Sequence, residues 1–303
     1  MPLVSMVQLL ADARKGRYAV CYCEAWSLES FQAVVEAAEE ECSPIIAGFN
    51  GGFLMHAGRK RAENLAFYAG VGSALAKAGV PAALLFNESA DLAQMEEAME
   101  LGFNAVMVEN EAFGHDEYRR LVRQVVAKAH PRGVAVEAQV GHLADASSSG
   151  KGEATTTTPE AARVFVEDTE IDALGVAVGN VHIMTKGRTP LDLRALEEIG
   201  QAVSVPLVLH GGTGIPLNEA GRCAELGVAK VNFGTGLKQA YLSALREKLA
   251  GYREPMSPHP FLGMGGEDDI LMAGREAVKR KCQELLRAYG SAGKAETTIG
   301  KGG

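Results

Sequence analysis

The sequence contains no apolar run long enough to span a membrane, no block of like charges, and no basic stripe interleaved with aromatics. The first absence excludes a transmembrane helix, and the other two make nucleic acid a poor candidate partner. With 38 acids against 30 bases the formal net charge is -8, so an anionic ligand would need a local positive site. Charged residues between Met1 and Gly16 stand where a secretory signal would need an apolar core, so the chain is expected in the cytoplasm. Cysteine is scarce as well. Cys21, Cys23, Cys42, Cys223 and Cys282 are an odd, scattered set, which argues against a disulfide framework. Cys21 and Cys23 lie in an apolar run and read as buried thiols rather than as a metal pair.

What the sequence does have is alternation. Short apolar runs rich in β-branched residues alternate with longer amphipathic segments, the pattern of βα units around a parallel sheet. The sequence predicts strands at Tyr18 to Cys23, Pro44 to Phe49, Ala82 to Phe86, Ala105 to Val108, Ala135 to Gln139, Ala173 to Val178, Pro206 to Leu209 and Lys230 to Phe233. Eight such strands suggest closure into a (β/α)₈ barrel, and 47% hydrophobic residues are enough for its single core. The barrel with its C-terminal helix is expected to fill residues 1–290 as one domain, and 291–303 is expected to be a disordered polar tail. Ser27 before Leu28, and Thr158-Pro159-Glu160, have the composition of helix N-termini. Gly141 to Thr158 has no apolar period and is expected to be a mobile loop after the fifth strand, either a lid or a plain surface loop.

In such a barrel the active site lies at the C-terminal ends of the strands. Nearly every predicted strand here ends in a polar group. In order these are Glu24, Asn50, Asn87 with Glu88, Glu109 with Asn110, Gln139, and Asn180 with His182. The last two strands lead into His210-Gly211-Gly212-Thr213-Gly214 and Asn232 with Gly234-Thr235-Gly236. Glycines at these turns let backbone N–H groups approach an anion, and two such turns on adjacent late strands point to a phosphate site. The plain alternative is a pair of ordinary strand-to-helix turns. His182 and His210 stand one strand apart on the same rim, which makes a metal pair plausible. His56, His115, His130, His142 and His259 sit in polar or loop contexts and read as surface residues.

The chain also resembles the class II fructose-bisphosphate and tagatose-bisphosphate aldolase family. The resemblance runs from Met1-Pro2-Leu3-Val4 through Gln32-Ala33-Val34, Gly102-Phe103, Val136-Glu137-Ala138, Leu207-Val208-Leu209-His210-Gly211 and Val228-Ala229-Lys230-Val231-Asn232 to Gly290 to Ala295. It covers almost the whole chain in unbroken order. By resemblance, His182 and His210 match two of three histidines that hold a catalytic divalent metal, zinc above all, with manganese or cobalt as alternatives. Gly211, Gly212, Thr213, Asn232 and Thr235 match the cradle for the phosphate and ketone end of the substrate. The resemblance also implies a homodimer or homotetramer, and it places a far-phosphate arginine where Arg275 stands.

The third strand departs from the pattern. Where the family has His-Leu-Asp-His, with a proton-carrying aspartate and a metal-binding histidine, this chain has Leu85-Phe86-Asn87-Glu88. An amide cannot take up that proton, so ordinary fructose-bisphosphate cleavage does not follow from the resemblance. Gln139 stands for a carboxylate, Glu24 for an asparagine, Asn50 for a serine near the substrate, and Gly234 for an aspartate of many members. Carboxylates are lost at 87 and 139 and gained at 24 and 88, a pattern of rebuilding. Glu88 is expected to replace the third histidine on the metal, the plain alternative being that it points to solvent or pairs with a neighbouring lysine. The base is expected to be Glu24, with Glu109, Asp145 and Glu153 as other candidates. The implied function is a metal-dependent carbon–carbon lyase acting on a phosphorylated ketose through an enediolate. An isomerase or epimerase on the same scaffold and a non-catalytic sugar-phosphate binder are the other readings.

Overall fold

A computed structural model describes residues 3–145 and 154–295. The eight barrel strands are β1 (Val20–Glu24), β2 (Ile45–Asn50), β3 (Ala82–Ser89), β4 (Ala105–Val108), β5 (Ala135–Val140), β6 (Ala173–Val176), β7 (Leu207–Leu209) and β8 (Val228–Phe233). Each pairs in parallel with its neighbours in sequence, and β1 closes on β8. The predicted fold class is the observed one.

Side chains alternate along a strand, so each strand sends one set outward under the helices and one set into the barrel. On β1, Cys21 and Cys23 belong to the outer cluster and Val20 and Tyr22 to the inner one. The cysteines are accordingly free buried thiols that pack as small hydrophobes. Ile46 on β2, Ala83 and Leu85 on β3, Ala105 and Met107 on β4, and Ala135 on β5 fill the lower barrel. Met6, Leu9, Leu10 and Ala13 of the N-terminal helix Met6–Gly16 pack onto this cluster and stopper the barrel from below. Continuing each inward column by two residues leads to the polar groups Glu24, Asn87, Glu109 and, beyond Glu137, Gln139. The apolar fill therefore ends where the polar rim begins, and only the C-terminal mouth is left open.

Local signals behave as read at the helix starts. Ser27 and Ser30 form a reciprocal capping box for the helix Leu28–Glu40, and Thr158 caps the helix Pro159–Thr169. Three expectations about extent need correction. β3 runs on through Asn87 and Glu88 to Ser89, so these two residues belong to the strand rather than follow it. The loop expected over Gly141 to Thr158 is partly built: Ala144–Asp145 pairs in parallel with Val181–His182, and His142 bridges Thr155. Its remaining part, with the candidate Glu153, lies outside the described residues. Of the tail expected over 291–303, residues 296–303 lie outside the described residues and 291–295 are packed. Ser291 is buried, Gly293 N–H donates to Glu41 O, and Ala295 N–H donates to Cys42 O, so the chain stays packed to 295. Among the described residues no helix is long and apolar enough to cross a membrane.

Candidate active site

A cavity of about 450 Å³ opens at the barrel mouth. Glu24, Asn50, Asn87, Glu88, Glu109, Asp145, His182, Gly211, Thr213, Asn232, Gly234 and Thr235 all line it, so the structure brings together most of the rim residues singled out from the sequence. Asn110, Gln139, Asn180, His210, Gly214 and Gly236 do not line it, and neither does Gly212. It lies buried beneath the turn, where an added Cβ would come within 2.6 Å of the Phe233 ring and 2.7 Å of Asn232 O.

Glu88, His182 and His210 form the centre. Each offers a donor atom, and the three donors lie within 4.8 Å of one another. Glu88 takes left-handed backbone angles, φ 54°, unusual for a residue other than glycine, and is held there by its side chain. Asn50 Nδ2 donates to Glu88 Oε2 at 2.6 Å, and His210 Nδ1 lies 3.2 Å from Glu88 Oε1. Asn50 is thus a brace for Glu88, its own Oδ1 accepting from Phe53 N–H at 3.0 Å. Burial works against the Glu88 charge. The hydrogen bond to His210 and the two nearby rings outweigh it and hold the carboxyl well below its usual range.

Beneath His210 lies a chain of charges that no rim argument found. His210 Nε2 meets Glu137 Oε1 at 2.8 Å, and Lys230 Nζ donates to Glu137 Oε2 at 2.7 Å. Both Glu137 and Lys230 are fully buried. Their signal was present in the sequence: each is a charged residue in the middle of an apolar strand run, which demands a buried partner. Burial opposes charge on His210, but Glu137 and Glu88 more than offset it and lift the ring to about 9. Because Nε2 is held by Glu137, Nδ1 is the nitrogen turned to Glu88.

His182 is placed by the small ladder with Asp145, its register partner, and Nδ1 lies 3.5 Å from Glu111 Oε1. Its Nε2 is buried and has no hydrogen-bond partner among the described residues. A buried ring nitrogen without a partner costs stability, so a ligand at this atom is the economical account. Two imidazoles and a carboxylate, one imidazole backed by Glu137, fit a divalent metal with open positions. Tyr22 Oη, Asn87 Oδ1, Gln139 Oε1 and Asn232 Oδ1 are likewise buried without partners among the described residues. Of these, Tyr22, Asn87 and Asn232 line the cavity and are complementary to a ligand rich in hydroxyls.

The glycine turns meet across the cavity wall. Gly211 has φ 68°, and a Cβ there would stand 2.2 Å from Val181 O. Gly236 N–H donates to Thr213 Oγ1 at 3.0 Å, joining the two turns, and the helix Thr235–Leu249 begins at Thr235 with its N-terminus at the mouth. Free N–H groups at such a start favour an anion.

The chain matches the family described as fructose-bisphosphate aldolase class-II over residues 4–294. The chain belongs to this family. It is similar to a fructose-bisphosphate aldolase of Geobacillus stearothermophilus, 35% identical over 97% of this chain and 99% of the relative, and to one of Staphylococcus epidermidis, 32% identical over 98% and 100%. Among solved structures, the YdjI aldolase from Escherichia coli K12 superposes with a TM-score of 0.78 at 30% identity, covering 97% of this chain and 99% of that one. The chain is therefore an enzyme of the class II aldolase type, a lyase, in a family that works with divalent metal and phosphorylated sugars. Within this class II frame two expectations change. Glu24 accepts an ion pair from Lys238 Nζ, which engages the carboxylate expected to be the base. Arg275 does not reach the cavity: its guanidinium is bound to Glu36 and Gln32 between the helices Leu28–Glu40 and Ile270–Ala288.

Proposed function

We propose that the chain is a metal-dependent carbon–carbon lyase that breaks and forms an aldol bond in a phosphorylated ketose, with Glu88 as third metal ligand and Glu109 as proton carrier. The observation that carries this reading is the convergence of Glu88, His182 and His210 donors within 4.8 Å at the same mouth as the two glycine turns. A divalent metal held by these three, zinc by donor set with manganese or cobalt as alternatives, would polarise the substrate carbonyl as a Lewis acid. Gly211, Thr213, Gly234 and Thr235 would seat the phosphate.

Glu109 suits the proton better than Glu24. Its Oε1 accepts from Asn110 N–H at 2.6 Å and Glu111 N–H at 2.9 Å, which fixes the carboxylate and leaves the second oxygen to the cavity. Burial, with the Glu88 charge adding to it, raises its pKa toward the range in which a group can both take and return a proton. In cleavage Glu109 accepts the proton of the hydroxyl whose carbon is leaving. The bond from that carbon to its neighbour breaks, and the carbon leaves as a carbonyl. The electron pair stays on the phosphorylated fragment as an enediolate, whose carbon at the broken bond takes the proton back from Glu109. Asn87, at the position of the family's aspartate, contributes a polar contact and no proton. Asp145 lines the cavity and is left without a role. A homodimer or homotetramer remains part of the reading through the resemblance.

Metal analysis of purified His182→Ala, His210→Ala and Glu88→Ala should show loss of bound metal in folded protein. Stoichiometric metal in all three sinks the reading. Phosphorylated ketoses should yield two carbon fragments, and Glu109→Gln should lower that turnover by about a hundredfold or more while metal content stays. Products with an unchanged carbon count would instead favour the isomerase, and binding without turnover the non-catalytic barrel.

A further inference from the structure

Tyr22 stands on β1 two residues before Glu24 and points inward, a member of the inner apolar cluster and 1% exposed. Lys230 Nζ, committed to Glu137, lies 5.2 Å from the ring centroid, so the ring is fixed by packing and by a cation over its face. The hydroxyl end differs from the ring. Tyr22 lines the cavity, yet its Oη is buried and has no hydrogen-bond partner among the described residues. Phenylalanine would fill the same space without burying an unpaired hydroxyl, so a ligand at that oxygen is the economical account.

Among the described residues lining the cavity, four buried atoms share this condition: Tyr22 Oη, Asn87 Oδ1, His182 Nε2 and Asn232 Oδ1. Their chemistry divides them. The imidazole nitrogen offers a lone pair to a metal, and the two amide oxygens accept protons from hydroxyls. Of the four, the phenol is the one that brings an O–H donor. Its place is also particular. Tyr22 is the register partner of Asn232 on β8, which leads into the Gly234-Thr235-Gly236 turn, and its hydroxyl is near enough to Glu88 for that charge to act on it. The phenol therefore lies between the cradle side of the mouth and the Glu88, His182 and His210 centre, where the carbonyl of a substrate held at both would stand. Burial, with Glu24 and Glu88 adding to it, holds the phenol well above its usual range, so its proton is shared with a ligand and not given up.

Resting on the aldolase reading above, we infer that Tyr22 is a further catalytic residue, whose O–H donates to the substrate carbonyl oxygen and stays with that oxygen as it gains negative charge. A donor fixed in a buried floor binds the charged oxygen more strongly than the neutral carbonyl, so the contact strengthens toward the transition state. Tyr22 moves no proton between atoms in this scheme, and Glu109 remains the proton carrier. The acids Glu24, Glu88 and Glu109 around the same mouth each oppose charge on a substrate oxygen, and a neutral donor aimed at that oxygen offsets them.

The test is Tyr22→Phe in the metal-loaded full chain, which keeps the ring and removes one oxygen. The probes are phosphoglycolohydroxamate, a phosphorylated hydroxamate whose oxygens imitate those of an enediolate, and inorganic phosphate, which reads the cradle alone. By calorimetry the variant should bind the hydroxamate about 10–100-fold more weakly, as loss of a hydrogen bond to a charged group predicts. Phosphate affinity and metal content should match wild type. The kcat for ketose-phosphate cleavage should fall by about a hundredfold or more, the effect of removing one oxyanion donor. Hydroxamate affinity or kcat equal to wild type overturns the proposal. A parallel fall in phosphate affinity or metal content also overturns it, because Tyr22 would then support the cradle or the metal ligands instead of the carbonyl. Failure of wild type to bind the hydroxamate overturns it as well. Selective loss of hydroxamate affinity in the variant, with no sugar cleaved by wild type, counts against the lyase reading alone.

Discussion

Replacing Lys230 with methionine tests the buried charge chain beneath the site. The change removes the ammonium and keeps an unbranched chain of similar bulk, so cavity formation contributes little. What remains is Glu137, 0% exposed, with His210 as its one charged neighbour at 2.8 Å. Removing one partner of a buried pair costs about 3–5 kcal/mol, and His210 retains its bond, so about 3 kcal/mol is expected. At roughly 2–4 °C per kcal/mol for chains of this order of size, thermal unfolding of the metal-free protein followed by circular dichroism should fall by about 6–12 °C. A fall below about 2 °C would refute the reasoning, because the pair would then be worth no more than an exposed one. A second readout separates stability from function. The double variant Lys230→Met, Glu137→Met should regain only part of the stability, since apolar groups replace the buried pair at little cost but His210 Nε2 loses its carboxylate. It should not regain metal affinity, which falls by about 10–100-fold once His210 Nε2 loses the carboxylate that orients it.

Other outcomes follow from the same geometry. Burial disfavours a proton on His210, yet Glu137 and Glu88 hold it there to about 9, so a metal must displace that proton and its affinity should climb from neutral pH to about 9 and then level. Competition with a chelator across that range measures it, and a flat profile would contradict it. Gly211→Ala has no room at φ 68° with Val181 O 2.2 Å away, so it should push aside the segment carrying His182 and weaken both metal and phosphate binding. Full retention of both in that variant would show that the turn is not the cradle. Tyr22→Phe removes a buried hydroxyl without a partner among the described residues, so the metal-free protein should be as stable as its parent or gain about 1–3 kcal/mol. Ligand affinity should drop in the same variant, and an unchanged affinity would remove Tyr22 from the site.

The barrel was legible because a strand buried on both faces has to be a short apolar run, and eight such runs separated by helical periods leave few other architectures. The rim was legible for a related reason: an inward column of side chains turns polar where the apolar fill ends, as at Tyr22 to Glu24 or Met107 to Glu109. What the sequence hid was pairing across space. Glu137 on β5 and Lys230 on β8 are separated around the barrel by β6 and β7 and meet only because both columns point to the axis. Each was visible as a misplaced charge, but neither named its partner. The ladder of Ala144–Asp145 with Val181–His182 is two residues long, too short to leave a period in a Ser/Thr-rich stretch, yet it delivers Asp145 to the mouth. Arg275 was misplaced because helix position does not fix where a long side chain goes: Glu36 on the neighbouring helix offers two carboxylate oxygens to its guanidinium and holds it outside. The same physics governs Glu24. Its place at the end of β1 suggested a base, whereas Lys238, one turn into the helix after β8, captures the carboxylate and turns a free acid into half of an ion pair. Site chemistry in this barrel is therefore set by which rim charges are left uncommitted, and of the cavity-lining Glu24, Glu88, Glu109 and Glu111, Glu109 is the one tied only by backbone N–H groups to a single oxygen.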